Sequence, residues 1–170
     1  MGRRSVWLAA SLTAGMALSS PGLAADTATA ILKDADGKEV GKVTLTAVPS
    51  GVLLDVDLTA AAPGDHGLHI HEFGKCEPPD FKTAGNHFNP EEDKHGLMNE
   101  AGPHAGDMPN IHVPDSGKLR IEVMNQMVNL DEGLLDDDGS AIVIHADPDD
   151  YESDPAGHAG GRIACGVVSE

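Results

Sequence analysis

Aromatic residues make up only 3% of this 170-residue chain: one Trp, one Tyr and three Phe. The single Trp, Trp7, lies close to the N-terminus. The core must therefore be built from Val, Ile, Leu and Ala. Positive charge is also scarce, with 11 Lys and Arg against 28 Asp and Glu and a formal net charge of −17. Such a surface repels phosphate backbones, so a nucleic-acid partner is excluded. It favours solubility and draws cations inward. Long apolar runs are missing too. The one candidate, residues 6–18, is too short to span a bilayer as a permanent anchor.

That short run has another reading. "MGRRSVWLAASLTAGMALSSPGLAAD" places Arg3 and Arg4 before the apolar segment and small residues after it. This is the layout of a secretory signal peptide cleaved near Ala24 and Ala25. Residues 1–25 are predicted to be removed, leaving one domain over 26–170 with no membrane anchor. The paired arginines leave twin-arginine export open, although the residues around them favour the ordinary route. The loss of Arg3 and Arg4 makes the remaining chain more acidic by two charges. Cys76 and Cys165 are the only cysteines. An even pair in a chain bound for an oxidising compartment predicts a disulfide.

Strand signals follow in series. "TATAILK", "EVGKVTLTA" and "VLLDVDLTA" are separated by the turns "DADGKE" and "VPSG". In the third, Leu54, Val56 and Leu58 alternate with Asp55 and Asp57. "GLHIHEF" reads as a fourth strand. From residue 74 to 117 no steady period remains, and such a connection inside one domain is functional or disordered. Strands return with "KLRIEVMNQMVNL", "SAIVIHA" and "RIACGVV", the last two flanking another irregular loop over 147–161. No sustained helical period, repeat or second domain is evident. Many short strands joined by turns imply an all-β antiparallel sandwich or barrel with long loops.

The histidines supply the chemistry. His69 and His71 in "HIH" are two apart, so on a strand they share a face and can grip one ion. Neutral imidazole suits copper or zinc. His87, His95, His104 and Asp107 fall in the irregular loop, and three His with one Asp would complete a closed tetrahedral site of structural zinc type. His145 ends the apolar strand "AIVIH", where it is a candidate third ligand beside His69 and His71.

Together, "GLHIHEFGKC", "GNHFNP", "KHG", "HAGDMPNI", "AIVIHA" and "GGRIACGVV" resemble the copper–zinc superoxide dismutase family, of the kind exported to the bacterial periplasm. The likeness runs from about residue 27 to 168. It implies a Greek-key β-sandwich or barrel with long metal-binding loops and one copper and one zinc ion per subunit. His69, His71, His87 and His145 become the copper ligands. His87, His95, His104 and Asp107 become the zinc ligands, so that His87 bridges the metals. The implied activity is dismutation of superoxide to O2 and H2O2 by copper redox cycling, with His87 moving a proton, which protects the cell envelope.

The resemblance also implies that Cys76 pairs with Cys165, pinning the loop beside the copper ligands to the last strand. Arg162 is expected beside copper, where a fixed cation attracts and orients the superoxide anion. Asp149 is expected to link His69 to His95, with Asp147 and Asp150 as rivals for that role. His66 is expected to form structural hydrogen bonds, and His112 and His158 to be solvated. The loop over 147–161 lacks the lysine that many family members use for steering, so Lys75 or Lys82 is expected to serve. A homodimer stays open, because no motif settles the oligomer. The competing reading is a non-catalytic periplasmic copper/zinc-binding module.

Overall fold

The structure, a computed structural model, describes residue 2 and residues 26–170. The predicted signal peptide over 1–25 thus lies almost wholly outside the described residues. Among the described residues nine strands form: β1 Thr27–Lys33, β2 Glu39–Val48, β3 Gly51–Leu58, β4 Gly64–His66, β5 Leu68–His71, β6 Ile111–Val113, β7 Leu119–Asn125, β8 Ala141–His145 and β9 Arg162–Ser169. The only helical elements among the described residues are single turns, at Lys82–Ala84 and Leu130–Leu134. No helix among them is long and apolar enough to cross a membrane.

Seven strands hydrogen-bond in the order β5-β8-β9-β1-β2-β3-β7, every neighbouring pair antiparallel, while β4 and β6 form a separate ribbon. After β3 the chain crosses to the far end of the sheet to make β5, and after β7 it crosses back to make β8. These are the long crossovers of a Greek key. The sheet curls around one aliphatic core that includes Leu32, Leu45, Leu54, Leu58, Ile70 and Ile142, all essentially inaccessible to solvent. Most of the expected strands are present. "KLRIEVMNQMVNL" stops short, at Asn125, whose carboxamide accepts the Met127 N–H (2.8 Å) and donates to the Ala105 carbonyl (2.8 Å). β4 and β6 were not expected, since three residues are too few to display a period.

Alternation in β5 and β8 matters most for function. Leu68 and Ile70 enter the core, as do Ile142 and Ile144. His69 and His71 therefore point to the opposite face, paired in register with Val143 and Ala141. His145 follows on the same side of β8, after an irregularity between Ile144 and His145. Every residue of both strands is nevertheless buried. The two long loops cover this second face.

Candidate metal centre

Loop residues reach the histidine face through backbone pairing with β5. The Ile70 N–H donates to Gly106 O (2.9 Å), and the Phe88 N–H donates to Ile70 O (2.8 Å). Gly106 permits the approach, since a Cβ there would lie 2.3 Å from Ile70 O. This pairing brings His87, His104 and Asp107 against His69 and His71.

Two compact groups of donors result. The ligand atoms of His69, His71, His87 and His145 lie within 4.8 Å of one another, as do those of His87, His95, His104 and Asp107. All seven side chains are buried, and His87 belongs to both groups. Its Nδ1 lies 2.8 Å from Asp107 Oδ1 and 3.5 Å from His104 Nδ1, while His95 Nδ1 lies 3.1 Å from Asp107 Oδ1. In the other group His71 directs Nδ1 to Gly85 O (3.0 Å), which leaves Nε2 3.4 Å from His145 Nε2.

Two buried ring nitrogens, His69 Nδ1 and His87 Nε2, have no hydrogen-bond partner. Leaving such atoms unsatisfied costs roughly 1–3 kcal/mol each. Both belong to the group of four imidazoles. Neutral nitrogens gathered in this way fit a metal such as copper, and the mixed His–Asp group fits zinc.

The protonation states of three of the rings agree with ligation. Burial is the main cause that lowers His87 to about 4, against the raising effect of Asp107. Burial likewise lowers His145 to about 3, helped by the neighbouring His69 and His87. His71 is also pushed well below its ordinary value, chiefly by burial. These three rings are neutral at pH 7, as metal donors must be. Burial opposes ionisation of Asp107, but hydrogen bonds from His104, His87 and His95 hold it far below the usual carboxylate range.

Asp149 lies behind both groups. Its Oδ2 is 2.7 Å from His69 Nε2 and its Oδ1 is 3.0 Å from His95 Nε2. Each ring thus keeps its Nδ1 for its own group. Asp147 and Asp150 make neither contact; Asp150 instead pairs with exposed His158 (2.9 Å). Asp149 is itself braced by partners that sequence reasoning missed. Asn110 donates to its carbonyl (2.8 Å) and accepts its N–H (2.8 Å), and the Tyr151 N–H donates to its carboxylate (2.6 Å). At Gly157, φ is +59° and a Cβ would fall 1.8 Å from Asp149 Oδ1. The glycines of "AGHAGG" were the available signal.

Arg162 opens β9 with its Cα paired to His145. Its Nη1 donates to Phe81 O (2.6 Å) and its Nη2 to Gly85 O. Gly85 O is the same carbonyl that faces His71 Nδ1. One oxygen, with no side-chain signature, joins the guanidinium to the histidine face. Cys76 and Cys165 are bonded, with Cα atoms 5.6 Å apart, and pack with Phe81, Ala84, Ala141 and Val143 beneath that loop. His66 is buried with its ring nitrogens 2.8 Å from His145 O and 3.0 Å from Ala62 O, as expected of a structural residue. His112 is exposed and pairs with Asp65 (2.7 Å). Lys75 is exposed, and exposed Lys82 pairs with Asp80 (2.8 Å).

Residues 39–168 match the family model for copper/zinc superoxide dismutase (SODC). The chain belongs to the copper/zinc superoxide dismutase family. "Superoxide dismutase [Cu-Zn] 1" of Aquifex aeolicus is 54% identical over 137 residues, covering 78% of this chain and 81% of the relative. A superoxide dismutase [Cu-Zn] of Caulobacter vibrioides is 46% identical over 147 residues, covering 83% and 84%. The crystal structure of a SOD-like protein from Bacillus subtilis superposes with a TM-score of 0.77 at 38% identity, covering 82% of this chain and 96% of that one. The Cu/Zn superoxide dismutase from Brucella abortus gives 0.71 at 30%, covering 84% and 99%. The copper/zinc superoxide dismutase activity is the conversion of superoxide to O2 and H2O2, with one copper and one zinc per subunit.

Proposed function

We propose that this dismutase works through a copper site of His69, His71, His87 and His145 and a zinc site of His87, His95, His104 and Asp107. The two orphaned nitrogens, His69 Nδ1 and His87 Nε2, are the observation that carries this assignment. Copper, when bound, supplies the one-electron redox change that turns two superoxide ions into O2 and H2O2. The protein's residues do the rest. His87, with Nδ1 committed to the Asp107 group, takes and returns a proton at Nε2. Asp149 orients His69 and His95. Arg162, anchored by Phe81 O and Gly85 O, holds a cation beside the histidine face and orients the incoming anion. Burial lowers its basicity while Asp80 and Glu72 oppose that effect.

The same reading makes residues 1–25 a signal peptide and 26–170 the mature domain, working in the periplasm. Arg3, Arg4 and the apolar run support export, and so does the disulfide, a bond rare in reducing compartments.

Stopped-flow decay of superoxide on the copper- and zinc-loaded protein tests the reading, with excess chelator to silence free copper. Decay proportional to bound copper is expected. Arg162→Ala is expected to slow it roughly 10-fold or more while copper content stays at the wild-type level. Stoichiometric copper with no catalytic decay would overturn the reading in favour of a metal-binding module.

A further inference from the structure

An acidic side chain stands beside the cation that is to draw in superoxide. Glu72 follows His71 directly, just past the end of β5. Burial lowers the basicity of Arg162, and the charges of Asp80 and Glu72 both oppose that effect. Asp80 is offset by Lys82, at 2.8 Å. Glu72 instead accepts from two neutral donors of one residue, the Asn86 N–H (2.8 Å) and the Asn86 side-chain amide (3.2 Å), both at Oε1. A carboxylate in this place repels the substrate anion, so it works against the role of Arg162. Such a local conflict is expected where a residue serves the site in another way.

The surroundings of Glu72 show what that service is. Backbone pairing continues past β5: the Glu72 N–H donates to Asn86 O (3.0 Å), and the Phe73 N–H donates to Ala84 O (3.1 Å). Gly85 lies between these two acceptors. A Cβ there would fall 2.5 Å from Glu72 Oε1 and 2.6 Å from its Cγ, so the Glu72 side chain fills the space over Gly85. The Gly85 carbonyl takes Arg162 Nη2 and faces His71 Nδ1 (3.0 Å). His87 comes next after Asn86 and is bridged through the backbone to His71. Glu72 thus clamps the short segment through which Arg162, His71 and His87 are held in register.

We propose that Glu72 is a positioning residue. Its carboxylate fixes the segment over 84–86, so that Gly85 O holds Arg162 and the Nδ1 of His71 at once, while its charge weakens the pull of Arg162 on the anion. The proposal rests on the copper site and the role of Arg162 given above.

Two conservative variants of the metal-loaded protein separate the acceptor from the charge. Glu72→Gln keeps a carbonyl oxygen for both Asn86 bonds and removes the charge. Glu72→Asp keeps the charge and withdraws the oxygen by one methylene. In Glu72→Gln, copper affinity from chelator competition is expected to stay within about threefold of wild type. Its superoxide decay is expected to be about twofold faster at low ionic strength and equal to wild type at about 1 M salt, where charges are screened within about 3 Å. In Glu72→Asp, copper affinity is expected to fall about 10-fold, with slower decay at every salt concentration. Proton NMR of the reduced protein reads the bond to Gly85 O directly. The His71 Nδ1–H is expected to exchange with solvent slowly in wild type and Glu72→Gln, and about 10-fold faster in Glu72→Asp. A residue that only stabilises the fold would lower the melting temperature and leave that proton protected. Wild-type copper affinity and ring-proton exchange in Glu72→Asp would overturn the positioning role, and so would equal losses in both variants. A Glu72→Gln rate at or below wild type in low salt would overturn the opposition of charge. Arg162→Ala, measured alongside, reads the role of Arg162 separately: unchanged decay overturns that role, while the His71 proton still decides the role of Glu72.

Discussion

Asp149→Asn tests whether one carboxylate sets the orientation of both metal groups. The carboxylate accepts from His69 Nε2 on one oxygen (2.7 Å) and from His95 Nε2 on the other (3.0 Å). Burial disfavours its charge, but hydrogen bonds from His69 and then His95 keep it ionised, well below the usual carboxylate range. Asparagine preserves the shape and removes one acceptor. Its carbonyl can serve one ring, while its NH2 faces the N–H of the other, donor against donor. The ring that loses its partner is free to change tautomer or rotate, and its Nδ1 leaves the metal. A hydrogen bond to a charged group contributes roughly 1.5–3 kcal/mol. Loss of an outer partner of a metal-ligating His costs about 10–100-fold in metal affinity, or about 1.4–2.8 kcal/mol. The two figures agree. Copper and zinc affinities are to be measured by competition with chelators of known strength, and weakening by that amount is expected for at least one metal. Affinities for both metals within about threefold of wild type would refute the reasoning, since a threefold change is under 1 kcal/mol.

Removing the Cys76–Cys165 bond by a double Cys→Ser substitution opens a loop with a sequence separation of 89. Loop-closure entropy then predicts a loss of about 4–5 kcal/mol in denaturant unfolding, and a change under 1 kcal/mol would argue against that account. Gly157→Ala drives a Cβ into Asp149 Oδ1 at a positive φ. It is expected to cost roughly 1–3 kcal/mol of stability and to weaken metal binding as Asp149→Asn does, with both checked by thermal melts and chelator competition. The metal-free protein should lose stability on acidification. His87 and His145 are depressed to about 4 and about 3, so their contributions are present above about 6.5, the unfolded value, and disappear as pH falls through the folded ones. His87 alone accounts for roughly 3 kcal/mol at about 1.4 kcal/mol per pH unit. His95 behaves oppositely. Burial lowers it, but Asp107 and Asp149 raise it to about 9, so its contribution is full below about 6.5 and is lost as pH rises through about 9. Denaturant midpoints of the metal-free protein should thus be highest near neutrality. A flat profile from pH 4 to 6.5 would contradict this.

Local rules made much of the architecture readable in advance. A period of two is visible in any strand long enough to show it, so Leu54, Val56 and Leu58 announced their inward face without knowledge of a partner. The same rule placed His69 and His71 on one face. The candidate ligands that the fold gathers could be named in advance because few side chains bind copper or zinc and because the chain spaces them in recognisable motifs. β4 and β6 were not, because three residues form a strand only when a partner fixes them. Nor was the end of β7, which is set by the bond from Asn125 to Ala105 O, twenty residues away in the chain.

The sequence by itself pointed to the class of fold, the disulfide partners and the candidate metal-binding side chains, since strand periodicity, an even pair of cysteines and recognisable motifs carry that information locally. Only the tertiary structure decided which nitrogen of His69, His71 and His95 is left free for a metal. That choice depends on what holds the other nitrogen: Asp149 for His69 and His95, Gly85 O for His71. These partners lie 80, 54 and 14 residues from the rings that they fix. A backbone carbonyl such as Gly85 O leaves no mark in sequence, because every residue has one. Its position beside both His71 and Arg162 exists only once β5, β9 and the disulfide-pinned loop are packed together.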